Sequence, residues 1–254
     1  MTTVDKEALL ARYAATKFDV KSLASSTDST YFKIEAGENI ARILPAADGA
    51  QPIIKVEKHF VNDEHGRRFG FNCPRMSKQP CPLCDYAWAA RDRGDQDAFL
   101  SYKSKTQYAM YVIDRNSPNP RPLVLALGHK TFSEKLQPLL EQFSSDDALP
   151  WDIYGGCDMV LTRKADGDFG TTAITLMRGS SPLSADQDQL VEILSTVPDI
   201  NDLRETPKDV GALVDRVAGV RYDAVKQLCE PDIVDVQFSD SAAFALTDGD
   251  EVPF

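Results

Sequence analysis

Nowhere does this chain hold the run of about eighteen apolar residues that a membrane-spanning helix needs, so no membrane partner is expected. Its start, MTTVDKEALLARYAATK, mixes charges into its first apolar positions and has neither the hydrophobic stretch nor the small-residue cleavage site of a secretory leader. Cysteine is scarce and odd in number. Three of the five lie between Cys73 and Cys84, which argues against the disulfide framework of a secreted domain and for a reducing, cytoplasmic setting. No glycine-rich loop cradles a phosphate, and no nucleophile has a base near it in sequence, so the chain is not expected to be an enzyme.

A surplus of positive charge is missing too: 28 Lys and Arg stand against 39 Asp and Glu, for a net charge of -11. The distribution says more than the sum. Residues 31–180 hold nineteen of each sign, whereas residues 181–254 hold five bases and sixteen acids. A neutral body with an acidic end can still form a local basic groove, so the global charge does not exclude a polyanionic partner.

What is present reads as a mainly β protein with peripheral helices, of the α+β class. With 43% apolar residues in 254, the chain can build a real core. An N-terminal helix around DKEALLARYAA and a Ser/Thr-rich linker fill residues 1–29. A core over residues 30–182 carries an inserted subdomain at about 56–98. YFKIEAGENIARILPA reads as two short strands around AGEN, with Ile34, Ile40, Ile43 and Leu44 as core candidates. IIKVEKHFV and RFGFNC read as strands joined at EHGRR, and DYAWAARDRGDQDAFL as helix with a stop at Gly94. YKSKTQYAMYVID and RPLVLALG are further strands. KTFSEKLQPLLEQF is helical with a kink or break at Pro138, and ADGD joins two more strands. LSADQDQLVEILSTV, with a Ser N-cap, opens a C-terminal helical extension over 183–238. Residues 239–254 read as a disordered acidic tail.

The stretch KHFVNDEHGRRFGFNCPRMSKQPCPLC concentrates the metal-binding side chains. Cys81 and Cys84 form a Cys-x-x-Cys knuckle, to which the hairpin at EHGRR can bring Cys73 and His59. That makes a closed Cys3His set suited to one structural Zn2+, with no position left for a catalytic water. Such a metal would supply on the order of 10 kcal/mol of local folding energy. His65 competes for the fourth place, but its position beside Gly66 points it away from the knuckle, and His59 is preferred. Unconnected thiols are the plainer alternative. Cys157 and Cys229 read as buried, and His129 as a surface or capping residue.

The order of these features resembles the single-stranded DNA-binding protein of T-even-like tailed bacteriophages. The resemblance covers roughly residues 30–185, through KSKTQYAMYVID, LGHKTFSEKL and LPWDIYGGCDMVL, and its specific part is the His, hairpin, Cys, Cys-Pro-x-Cys spacing. It implies an oligonucleotide-binding (OB) β-barrel interrupted by a zinc subdomain, and single-stranded DNA as the partner in phage DNA replication, recombination and repair in a bacterial host's cytoplasm. By position it makes His59, Cys73, Cys81 and Cys84 the ligands, and places Lys103, Lys105 and Tyr108 along the DNA groove. That family begins with a short Lys/Arg run used for head-to-tail cooperativity, which MTTVDKEALL lacks. The ending DGDEVPF instead resembles the acidic, Pro-Phe-terminated tip of bacterial single-stranded DNA-binding proteins. Asp248, Asp250, Glu251, Val252, Pro253 and Phe254 would then recruit replication or repair proteins.

The residues suit such a role, because holding a single strand without reading it takes cations along phosphates and flat rings for bases. In YKSKTQYAMY, alternation puts Lys103, Lys105 and Tyr111 on one face and Tyr102, Tyr108 and Met110 on the other. Which tyrosine stacks stays open, and a half-buried strand with solvated lysines is the plainer reading. Arg67, Arg68, Phe69 and Phe71 form a second basic and aromatic group on the hairpin, while Trp88 and Trp151 are expected in the core. Two rivals remain. A zinc nucleobase deaminase shares the Pro-Cys-x-x-Cys half-motif, but Glu57-Lys58-His59 reverses the His-x-Glu it needs. A zinc-ribbon adaptor of replication or transcription would bind protein alone.

Overall fold

The computed structural model describes residues 6–13, 31–143, 148–164 and 171–217. The N-terminal linker, the tip of the ADGD hairpin, Cys229 and the acidic tail lie outside the described residues.

Seven strands form one antiparallel sheet: β1 (Gly37–Ile43), β2 (Ile53–Asn62), β3 (Arg68–Asn72), β4 (Lys105–Asp114), β5 (Leu123–Gly128), β6 (Met159–Lys164) and β7 (Thr171–Leu176). Their order is β3-β2-β4-β1-β6-β7, and β5 pairs with β4. The protein is thus mixed α+β, and the sheet does not close: β5 and β7 are not paired among the described residues. Between them in the chain runs a helical segment made of α4 (His129–Thr131), a π-helical turn (Phe132–Leu136) and α5 (Gln137–Leu140). Pro138 falls just after the π turn, where its missing N–H and its ring disfavour an ordinary α turn. From this segment Lys135 donates to the backbone carbonyl of Thr172 on β7.

β4 lies at the centre of the sheet and is covered on both faces. Ala109, Tyr111 and Ile113 enter one core with Leu44, Val56, Leu190, Ile193 and Leu194. Tyr108, Met110 and Val112 enter a second core with Phe132, Leu136, Trp151 and Met159. An unbroken run of buried residues follows, as in any strand packed on two sides. The first core is closed by Tyr13 after α1 (Lys6–Arg12) and by α6 (Gln187–Thr196). Asp186 caps α6 by accepting from the N–H groups of Asp188 and Gln189, in place of the expected serine; Ser184 instead accepts from the Asp186 N–H. Only one strand forms around AGEN: Asn39 accepts from the Glu35 N–H and donates to its carbonyl, and the preceding residues meet β5 only at an isolated bridge, where the Phe32 N–H donates to the Val124 carbonyl at 2.8 Å.

Two connections fix the rest. Buried Arg42 on β1 donates to the carbonyls of Asp152 and Ser181, each at 2.8 Å, and pairs with Asp158, which Arg115 also holds at 2.9 Å. The chain after α6 then returns to the β2–β3 hairpin. Asn72 donates to the Glu205 carbonyl at 2.8 Å, and Val214 of α7 (Val210–Asp215) and Val217 pack against Val61 and Phe71.

Candidate metal centre and adjoining basic groove

The β2–β3 hairpin turns where expected, with Gly66 at φ +74° and Asp63 accepting from the N–H groups of His65 and Arg67. Its register sets His59 opposite Phe71, two residues before Cys73. The chain then crosses Pro74–Ser77 and a left-handed Lys78 to Cys81, the N-cap of α2 (Pro82–Asp92), whose first turn carries Cys84. All four side chains are buried, and their ligand atoms lie within 4.8 Å of one another.

This cluster can hold one metal ion. His59 Nε2 stands 3.2 Å from Cys81 Sγ and 3.6 Å from Cys84 Sγ, and Cys73 Sγ stands 3.5 Å from Cys84 Sγ. A tetrahedral ion with bonds of about 2.3 Å to sulfur and about 2.0 Å to nitrogen needs edges of roughly 3.5 to 3.8 Å. The His59 Nδ1–H donates to the Tyr102 carbonyl at 2.8 Å, which leaves Nε2 with its lone pair toward the sulfurs. Without metal, burial opposes charge on His59, but hydrogen bonds and charge from Cys73 and Cys84 outweigh it and raise the imidazole to about 9. Hydrogen bonds with Cys73 and Cys84, together with burial, push the Cys81 thiol up, whereas hydrogen bonds with Cys73, Cys81 and His59 hold that of Cys84 down. Arg75 adds a second cation beside the sulfurs and pairs with Asp85. His65 is exposed in the turn and stands outside the cluster.

The residues expected on a DNA surface separate. Tyr111 is only 2% exposed and Tyr108 only 6%, because β4 is covered on both faces; Tyr108 stacks on Phe132 with centroids 3.8 Å apart. Tyr102 packs edge-on against Tyr86 at the metal cluster. Phe71 covers His59 at 5.3 Å, and Phe69 lies over Phe71 with Arg216 above it at 4.9 Å. Arg67 is tied to Asp63 at 2.8 Å. Lys103 sits over Phe99 at 4.8 Å. Arg68 and Lys105 are exposed and meet in a cleft of about 670 Å³.

That cleft runs between the hairpin and the start of α4. Phe60, Arg68, Phe69 and Gly70 form one wall, Lys105, Thr106 and Gln107 the floor, and His129 and Lys130 the far side. It adjoins a second cleft that shares Phe60, Arg68 and Lys105 and continues along Asp97, Leu100, Ser101 and Tyr102 of α3 (Gln96–Tyr102). Phe60 lies across Gly70, and the Arg68 guanidinium stands 5.4 Å above its ring. Phe60, His129 and Lys130 escape a sequence reading because the register alone brings them together. The one signal is alternation on β2, which turns Phe60 away from the buried side of its neighbour His59.

No protein-family model matches this chain, and a search of curated proteins returns no match. Among the described residues, no helix is long and apolar enough to cross a membrane.

Proposed function

We propose that the protein binds single-stranded DNA without strong sequence preference, along the groove between the metal-clamped hairpin and α4, and that it acts by occupancy rather than by chemistry. One observation carries this reading. In a chain of net charge -11, the cleft gathers Arg68, Lys105 and Lys130 beside Phe60, Phe69 and His129, and among the described residues no carboxylate lines it. None of the three cations has an ion-pair partner among the described residues. Unpaired cations beside half-exposed rings are what a phosphate backbone with splayed bases requires.

The topology supports an OB-type fold. A meander of β1, β4 and β5 is followed by a helix and then by the hairpin β6–β7, whose first strand returns to the free side of β1. Closure would need β5 to meet β7, whose Thr172 carbonyl accepts from Lys135 of the helical segment that follows β5. On this reading the ion is Zn2+, since three thiolates and one imidazole in a closed tetrahedral set are its usual structural ligands. If the sequence's resemblance to phage single-stranded DNA-binding proteins holds, the activity would serve replication, recombination and repair. The acidic ending Asp248 to Phe254 would recruit partner enzymes.

The test is fluorescence anisotropy of labelled oligo-dT against a duplex of equal length. Salt-sensitive binding to the single strand, with little to the duplex, is expected. Binding to neither would leave a metal-stabilised protein adaptor as the better reading.

A further inference from the structure

Trp88 is 41% exposed on α2, whereas Trp151 is 1% exposed in the core. The sequence places both indoles inside. The buried side of α2 is taken by Leu83, Cys84, Ala87 and Ala90, whose two alanines bring the helix close to its neighbours and leave no room for a large ring. Trp88 therefore lies on the outside of the metal subdomain, against Phe99 of α3 at 5.3 Å, with the Arg91 guanidinium 4.1 Å above it and Lys103 4.8 Å from Phe99. An exposed indole flanked by a second ring and two cations leaves a large apolar area in water, which calls for an occupant.

We infer that a single strand leaving the groove crosses α3 and stacks a further base on Trp88, an inference that rests on the nucleic-acid reading above. Continuity carries it. The second cleft already runs from Phe60, Arg68 and Lys105 to Leu100 and Tyr102 on α3, and Lys103 joins that end to the Trp88–Phe99 pair. Leu100, also exposed, lies on the way. Of the nearby carboxylates, Asp85 pairs with Arg75, Asp92 with Arg91 at 3.2 Å, and Asp95 caps α3 through the Ala98 N–H, while Asp97 lines the second cleft beside Leu100 and Ser101. Lys103, which has no ion-pair partner among the described residues, supplies the phosphate contact that accompanies a stacked base, and Arg91, shared with Asp92, would turn from the Trp88 ring to make a second. The metal subdomain then serves as a second platform as well as a wall of the groove.

Because Trp151 is buried, quenching of tryptophan emission by a ligand reports Trp88 alone. The full chain is titrated with oligo-dT of about 5 and about 16 nucleotides, the ends of the usual range of site sizes, with anisotropy read in parallel. The long strand is expected to quench tryptophan and the short one to bind with little quenching. Trp88→Phe should abolish the signal and keep most of the affinity. Trp88→Ala should weaken the long strand about fivefold or more, and the short one less than twofold. If the long strand binds while tryptophan emission and W88A affinity stay unchanged, Trp88 lies off the path and the inference falls while the groove stands. If neither strand binds the wild type, the groove reading fails and takes this inference with it.

Discussion

Removing the three cations of the groove should change the salt dependence of binding by a calculable amount. Each phosphate neutralised on a single strand contributes about -0.7 to the slope of log K against log salt. Arg68, Lys105 and Lys130 together account for a slope of about -2, so between 50 and 200 mM salt these three contacts alone cost about 18-fold in affinity. Each alone costs roughly threefold over the same range. All three side chains are exposed and none is ion-paired among the described residues, so replacement by alanine should leave the fold intact. The assay is anisotropy of labelled oligo-dT at several salt concentrations, with thermal melting as the control for folding. Single variants should each flatten the slope by about 0.7, and the triple variant by about 2. A triple variant that melts normally and keeps the wild-type slope would refute the assignment of phosphates to this cleft.

Three other perturbations have defined outcomes. A Cβ at position 70 would stand 3.1 Å from the Phe60 ring and 3.2 Å from the His59 carbonyl oxygen; Gly70→Ala should therefore displace the ring and weaken oligo-dT about fivefold or more in the same anisotropy assay. Cys81→Ser, or a strong chelator, should abolish stoichiometric metal binding, measured by elemental analysis. It should also expose amides of the hairpin and α2 to hydrogen exchange, since a structural Zn2+ contributes on the order of 10 kcal/mol. The Asp63 carboxyl is held below its ordinary value: burial works against this, but the N–H groups of Arg67 and His65 and the Arg67 side chain outweigh it. Its contribution is present above about pH 4, the ordinary aspartate value, and is lost as pH falls through the depressed folded value. Asp63→Asn should accordingly lower the melting temperature at neutral pH and narrow the gap to wild type in acid.

The metal cluster was legible in the sequence because its chemistry is local: a knuckle and a glycine-marked hairpin bring four ligands together within about one supersecondary unit. The turn at EHGRR and the helix stop at Gly94 were legible for the same reason, each resting on one glycine at positive φ. The groove was less so. Alternation separates the two faces of β4 from Lys105 onward, but Tyr102 ends α3 and Lys103 caps it, so the strand begins later than the pattern YKSKTQYAMY implies; nor does alternation show that both faces of β4 are covered, and so Tyr108 and Tyr111 were candidates for a surface they do not reach. Phe60 and Lys130 sit seventy residues apart and meet only through the register of β2, β4 and β5. Trp88 misled for another reason: a large apolar residue is a core residue on average, and only the small alanines beside it hint that the helix packs too closely to admit it.

The most direct test of the central claim is photo-cross-linking of oligo-dT to the intact protein, with the adducts located by mass spectrometry. Adducts on the peptides carrying Phe60 to Phe69 and His129, suppressed by excess single strand and not by duplex, are the predicted result. Adducts confined to the surface around the exposed Tyr154 and Met177, which does not line the groove, or equal competition by duplex, would contradict it.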